Sequence, residues 1–320
     1  MIVRFGYVSI SMRLGKKVTS SSTVTFTNYN KIATEKNKLE KLKSVTLSNL
    51  KDLEIIFKYN AENNIHFYRI TSALIPLVTH PDVGYWGHRE IFEKDFKHLG
   101  KFIKEYNMRV DTHPDQFNVL NSINNEVVKN TKKNLMRQVE WFDDLDYPDG
   151  KMVLHVGGAT GGKEEGIRRF IDNFREFPRE ITSRLIIEND DKTYTAKEVL
   201  NLCEILEIPM VLDVHHHNCN NDGESIEDLL EEIFNTWNKE KLPPKIHFST
   251  PKEHRKDKKH ADYINADDFV EFLEKAKKID RDFDAMLECK QKDEALYLLA
   301  KDIKVIRPQY KWIDDSSFEV

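Results

Sequence analysis

Histidines and carboxylates recur at the ends of short apolar runs in this chain, and metal binding is the chemistry that such a pattern serves. MRVDTH ends at His113, MVLHV carries His155, and LIIEND carries Glu188. MVLDVHHH carries Asp213 and His216, PKIHFST carries His247, AMLECK carries Glu288, and His260 ends a basic segment. Burying such groups is costly unless they are paired or bound to metal. The mixture of imidazole and carboxylate suits Zn²⁺ or Mn²⁺ rather than a thiolate-preferring metal. Eight donors are too many for one ion, and several ions sharing a bridging carboxylate account for the number. Ions about 4 Å apart can clamp the attacking and leaving oxygens of an in-line phosphoryl displacement. Hydrolysis of phosphate esters is therefore the favoured reaction. A two-metal sugar isomerase is the alternative, although it typically needs fewer histidines.

The other histidines have plainer readings. His66 alternates with aromatic residues inside a strand, His88 and His98 lie on or beside a polar helix, and His254 sits in the basic segment. His215 and His217 flank His216, and not all three can face one site.

Two further apolar runs, IVRFGYV and IHFYRI, bring the total to eight. Amphipathic segments of helical length lie between them, at 39–60, 89–106, 125–142, 163–174, 195–206, 225–237, 265–278 and 293–306. In the third, Val127, Val128, Leu135, Met136 and Val139 recur at roughly the period of a helix face. Thr195 and Ser225 read as N-caps followed by acidic first turns. Strand and helix alternating eight times predict an α/β fold, a single (β/α)₈ TIM barrel over residues 1–306. In that fold the active site lies at the C-terminal ends of the strands, where the candidate ligands fall. The polar, Ser/Thr-rich stretch 10–34 reads as a long loop over that face. Residues 307–320 form a C-terminal tail without an assigned place.

At 320 residues the length suits one such barrel, and 39% hydrophobic content supplies its core. No apolar stretch approaches the roughly 20 residues of a membrane span. The first residues read as a strand, with Arg4 inside the apolar run, rather than as a signal peptide. Cys203, Cys219 and Cys289 form no CxxC pair, which fits a reducing cytoplasm. The net charge of −5 is unfavourable for binding nucleic acid. Divalent ions would add local positive charge, and KEHRKDKKH, residues 252–260, is a basic loop beside a candidate ligand.

Several motifs in order, YRITSALIP (68–76), THPDQFNVLNS (112–122), LHVGGATGGK (154–163), LIIENDD (185–191), DVHHHNC (213–219), KIHFSTP (245–251), HADYI (260–264) and MLECKQK (286–292), resemble the UV damage endonuclease family. The likeness runs from about residue 4 to residue 304. It implies a cytoplasmic, nucleoid-associated DNA repair enzyme that needs no obligate protein partner. Such an enzyme nicks double-stranded DNA immediately 5′ to UV photoproducts, namely cyclobutane pyrimidine dimers and 6-4 photoproducts, with abasic sites as a further substrate. Metal-activated hydroxide attack leaves a 3′-hydroxyl and a 5′-phosphate. An apurinic endonuclease or sugar-phosphate isomerase on the same barrel is the alternative.

The resemblance implies up to three divalent ions, Mn²⁺ foremost, with Zn²⁺ or another divalent metal as substitutes. His113, His155 and Glu188 would hold one. Glu188 would bridge to a second held by Asp213, His247 and Glu288, and His216 with His260 would hold a third. Lys245 matches a family lysine that can be carboxylated, and His80 one that lies beside the ligands or on the phosphate. Gln116 and Phe117 match a pair that probes the duplex and fills the gap left by the extruded lesion. Extruding a poorly stacked photodimer costs less than extruding an intact pair. Tyr7 matches a tyrosine near the damage. Ser11 stands where some members have Asn, and so lines the lesion pocket differently.

Overall fold

The apolar runs become the strands β1 (Ile2–Val8), β2 (Phe67–Ile70), β3 (Arg109–Thr112), β4 (Lys151–His155), β5 (Leu185–Glu188), β6 (Met210–Asp213), β7 (Lys245–Phe248) and β8 (Phe283–Leu287), in a computed structural model that covers residues 1–320. Neighbours in the chain pair in parallel, and β1 pairs with both β8 and β2. The sheet thus closes into a (β/α)₈ TIM barrel. Closure brings β1 hard against β2 at Gly6, where a Cβ would lie 2.6 Å from the Phe67 carbonyl oxygen. Only glycine fits there.

The amphipathic segments form the surrounding helices. Thr195 caps Ala196–Leu206 in a capping box with Glu198, and Ser225 caps Ile226–Asn235. The first long helix spans Glu35–Glu62 and begins before the expected residue 39. The threonine at 34 accepts from the Asn37 amide and starts the helix in a polar stretch where hydrophobic period is silent.

Side chains alternate across each strand. Met152, Leu154, Leu185, Ile187, Met210 and Leu212 face the helices and join the large core. Val153, Ile186 and Val211 face the other way and pack on Trp237. The rest of the barrel interior is largely ionic, with the Phe67 ring beside Arg109 and Lys245. Asp284 accepts from Arg4 at 2.6 Å and from Arg109 at 2.7 Å, and Lys245 is paired with Asp111.

The tail is not loose. It adds β9 (Lys311–Trp312) and β10 (Ser317–Glu319), with β10 antiparallel to the first half of β1. Phe318 is fully buried against Phe5, Tyr310 and Trp312. β10 thus extends the sheet beside the N-terminal half of β1, and Phe318 joins the core between sheet and helices. At the opposite end, the loop after β1 contains the short helix Phe26–Asn30. Asp293, at the start of the helix Lys292–Ile306, accepts from the Ser11 hydroxyl and the Met12 amide and ties this loop down. No helix is long and apolar enough to cross a membrane.

Phe318→Ala should destabilise the protein by about 3–5 kcal/mol, the usual cost of emptying a buried aromatic site. Urea unfolding measures it. An unchanged midpoint would show that the tail does not contribute to the core.

Candidate metal centre at the barrel mouth

Glu188 ends β5 and is 1% exposed, at the middle of the strand C-termini. Register places its neighbours. His155 on β4 lies opposite Glu188, and Asp213 on β6 lies opposite His247 on β7. One carboxylate oxygen, Oε2, is 3.2 Å from His113 Nε2 and 3.6 Å from His155 Nε2. The other, Oε1, is 2.8 Å from His247 Nδ1 and 3.5 Å from His216 Nδ1. Two sets of ligand atoms result, each mutually within 4.8 Å: His113, His155 and Glu188, then Glu188, Asp213 and His247. Glu188 belongs to both, with one oxygen turned toward each group of imidazoles.

Neighbouring carbonyls set two of the imidazoles. His113 Nδ1 faces the Pro114 carbonyl at 3.2 Å, and His216 Nδ1 faces that of Asn189 at 3.0 Å. An Nδ1–H donated there by His113 leaves its Nε2 lone pair for a metal, and His216 can offer Nε2 once its second proton is displaced. Asn189 also exchanges two hydrogen bonds with the Asp213 backbone and locks β5 to β6.

The electrostatics are those of crowded buried charge. Burial alone would raise the Glu188 carboxyl, but His247, His155 and His113 outweigh it and hold Glu188 well below the usual range. Burial likewise opposes ionisation of Glu288, and Arg69 and His247 overcome it. Asp213 is pushed up to about 8 by burial, with Glu188 and Glu288 adding to the effect. Burial lowers His247 to about 4. His216 goes to about 9, because Asp213, Glu188 and Glu288 together overcome its burial.

The residues fit a divalent ion. Asp213 Oδ1 caps the His216 amide at 2.7 Å, while the buried Oδ2 has no hydrogen-bond partner. A buried carboxylate oxygen without a donor requires explanation, and a cation within the His/Asp/Glu set would satisfy it.

The remaining expected residues lie as follows. Glu288 Oε1 is 3.3 Å from His247 Nδ1 and so adjoins the second set. His260 is a ring neighbour of His216 at 6.4 Å between centroids, outside both sets. Lys245 lies two residues below His247 on β7, fully buried against Asp111. His80 stacks on Phe26 at 3.8 Å and lines a separate cleft with Asp115. Gln116 and Phe117 stand at the rim, with Phe117 75% exposed. Tyr7 is fully buried, its hydroxyl donating to Asn60 at 2.7 Å. Ser11 is buried on Asp293. In this conformation neither Tyr7 nor Ser11 presents surface to a ligand.

Residue-by-residue reading missed Arg69 and Asp111. Both were detectable as charges inside otherwise apolar strands. Asp111 lies two residues before His113 and therefore on the same face of its strand.

A closed barrel whose mouth gathers imidazoles and carboxylates around a shared glutamate is the architecture of a metal-using barrel enzyme. The family model described as UV-endonuclease UvdE matches residues 3–315. The chain belongs to that family of DNA repair endonucleases. It is 39% identical over 308 residues to the UV DNA damage endonuclease of Bacillus cereus strain Q1, covering 96% of each chain. The crystal structure of SacUVDE superposes with a TM-score of 0.85 at 34% identity, covering 95% of this chain and 99% of that one. Endonuclease IV from Thermus thermophilus shares the fold, with a TM-score of 0.54 at 15% identity over 95% of this chain and 98% of its own.

Glu188→Gln keeps the shape of the side chain and removes its charge. It should lower the number of Mn²⁺ ions retained in equilibrium dialysis and abolish DNA cleavage, with the circular dichroism spectrum unchanged. A full metal complement with native cleavage would overturn the bridging role.

Proposed function

We propose that this protein nicks double-stranded DNA immediately 5′ to UV photoproducts, leaving a 3′-hydroxyl and a 5′-phosphate. The carrying observation is one cleft of about 530 Å³ whose lining includes His113 and His155 together with Gln116 and Phe117. The exposed aromatic ring that can fill a gap in the duplex therefore adjoins the ligands that can cut it. A sugar isomerase has no use for such a ring. An aromatic wedge offsets stacking lost when a lesion leaves the helix.

His113, His155 and Glu188 would hold one divalent ion, Asp213, His247 and Glu288 with Glu188 a second, and His216 with His260 a third, Mn²⁺ being the favoured metal. Bound there, such ions supply Lewis acidity at the phosphodiester and lower the pKa of water. Glu188 keeps the two halves of the site at a set separation. His80 is half-buried beside the HPDQF turn, within reach of the DNA backbone. The loop 252–260 is exposed at Lys252, Arg255, Lys256 and Lys259 and leads into His260, which brings positive charge to the rim despite the net charge of −5. Lys245 is pulled down to about 8 by burial. That favours the neutral amine which carboxylation requires.

Irradiated and unirradiated plasmid, incubated with the purified protein and Mn²⁺ or a chelator, test this reading. Nicking should be confined to irradiated plasmid and vanish with chelator. Equal nicking of both plasmids, or nicking in chelator, would overturn it.

Phe117→Ala should weaken affinity for a duplex with one defined dimer by about 5- to 150-fold, since base–aromatic stacking contributes roughly 1–3 kcal/mol. Turnover at saturating DNA should fall less. Unchanged affinity would rule out the wedge.

A further inference from the structure

Arg69 lies on β2 and is 6% exposed. Its Nη1 donates to Glu288 Oε1 at 2.6 Å, and its Nη2 is 2.6 Å from His247 Nε2. We propose that Arg69 is a built-in counter-cation of this centre, which holds Glu288 and His247 in the metal-free protein and competes with a divalent ion for them. The inference rests on the metal reading of the site.

The argument is one of donors and acceptors. A guanidinium offers only N–H donors. The His247 nitrogen facing Arg69 must therefore present its lone pair, and the proton sits on Nδ1. That Nδ1–H donates to Glu188 Oε1 at 2.8 Å. Yet Nδ1 is the nitrogen that faces Glu188 and Glu288, where the ligand atoms gather. An ion there needs the Nδ1 lone pair and moves the proton to Nε2. Nε2–H would then meet an Arg69 N–H, two donors with no acceptor between them. Either Arg69 leaves His247 or the imidazole turns over. In both cases the contact exists only without metal.

Charge leads to the same conclusion. Glu188 and Glu288 bring two ionised carboxylates into one mouth beside the Asp213 carboxyl, and Arg69 supplies the guanidinium that contacts Glu288. A dication makes that charge redundant and is repelled by it. Removing Arg69 should therefore harm the metal-free protein more than the loaded one, which by linkage tightens metal binding.

The test compares wild type, Arg69→Gln and Arg69→Lys as full-length protein, by thermal unfolding with chelator or Mn²⁺ and by calorimetric titration with Mn²⁺. Arg69→Gln should have a lower Tm in chelator, a larger Tm rise with Mn²⁺, and Mn²⁺ affinity tighter by about 5- to 150-fold, the range typical of coupling between sites. Arg69→Lys keeps the charge but cannot hold both partners, and should fall between. Equal or weaker affinity in Arg69→Gln would show that Arg69 merely orients the ligands and would overturn the proposal. If Arg69→Gln does not fold, the lysine variant decides by the same criterion. A wild type that ignores Mn²⁺ would overturn the metal reading and this inference together, whereas a wild-type response matched by the variants would overturn only the inference.

Discussion

The burial of Glu188 is the constraint around which the rest of the mouth is arranged. An unpaired carboxylate in a protein interior costs several kcal/mol, and Asp213 and Glu288 bring two more carboxyl groups beside it, of which Glu288 is held ionised and Asp213 is pushed up to about 8. Imidazoles surround Glu188 on both sides, Arg69 holds Glu288, and Asn189 ties the Asp213 backbone to β5. What they leave over is an unpartnered oxygen on Asp213. The mouth is thus neutralised in part by the chain's own cations, and its remaining groups could hold a cation from outside.

The layer beneath explains how such a mouth stays in register. Half of the interior is apolar, with Val153, Ile186 and Val211 against Trp237. In the other half, Lys245 with Asp111 and Arg109 with Asp284 join strands that are not neighbours, while Arg4 with Asp284 joins the adjacent β1 and β8. Pairs of this kind contribute little net stability but specify arrangement, because losing one partner leaves a buried charge uncompensated.

Strands and loops divide the work. The ligands His155, Glu188, Asp213 and His247 belong to strands whose positions the barrel sets, which suits groups that must hold fixed distances. Phe117, His80 and the basic loop lie on connections, which can adapt to a large substrate. The loop after β1 spans both: Asp293 anchors one part and His80 stacks on another.

The sequence by itself determined the barrel, since eight apolar runs alternating with amphipathic segments admit few other closures. It also suggested the candidate ligands, because His, Asp and Glu recur at the ends of successive strands although each is weak evidence alone. The part of Gln116 and Phe117 in the THPDQF turn was legible only through the family resemblance. Tertiary structure alone decided which ligands meet and which nitrogen each imidazole offers. It also decided that Tyr7 and Ser11 are tied to Asn60 and Asp293, and that the tail is a pair of strands. The physical reason is that these outcomes depend on contacts between strands distant in the chain. Arg69 reaches Glu288 and His247 across 219 and 178 residues. No local period or propensity encodes such a meeting, and only closure of the sheet brings the partners together.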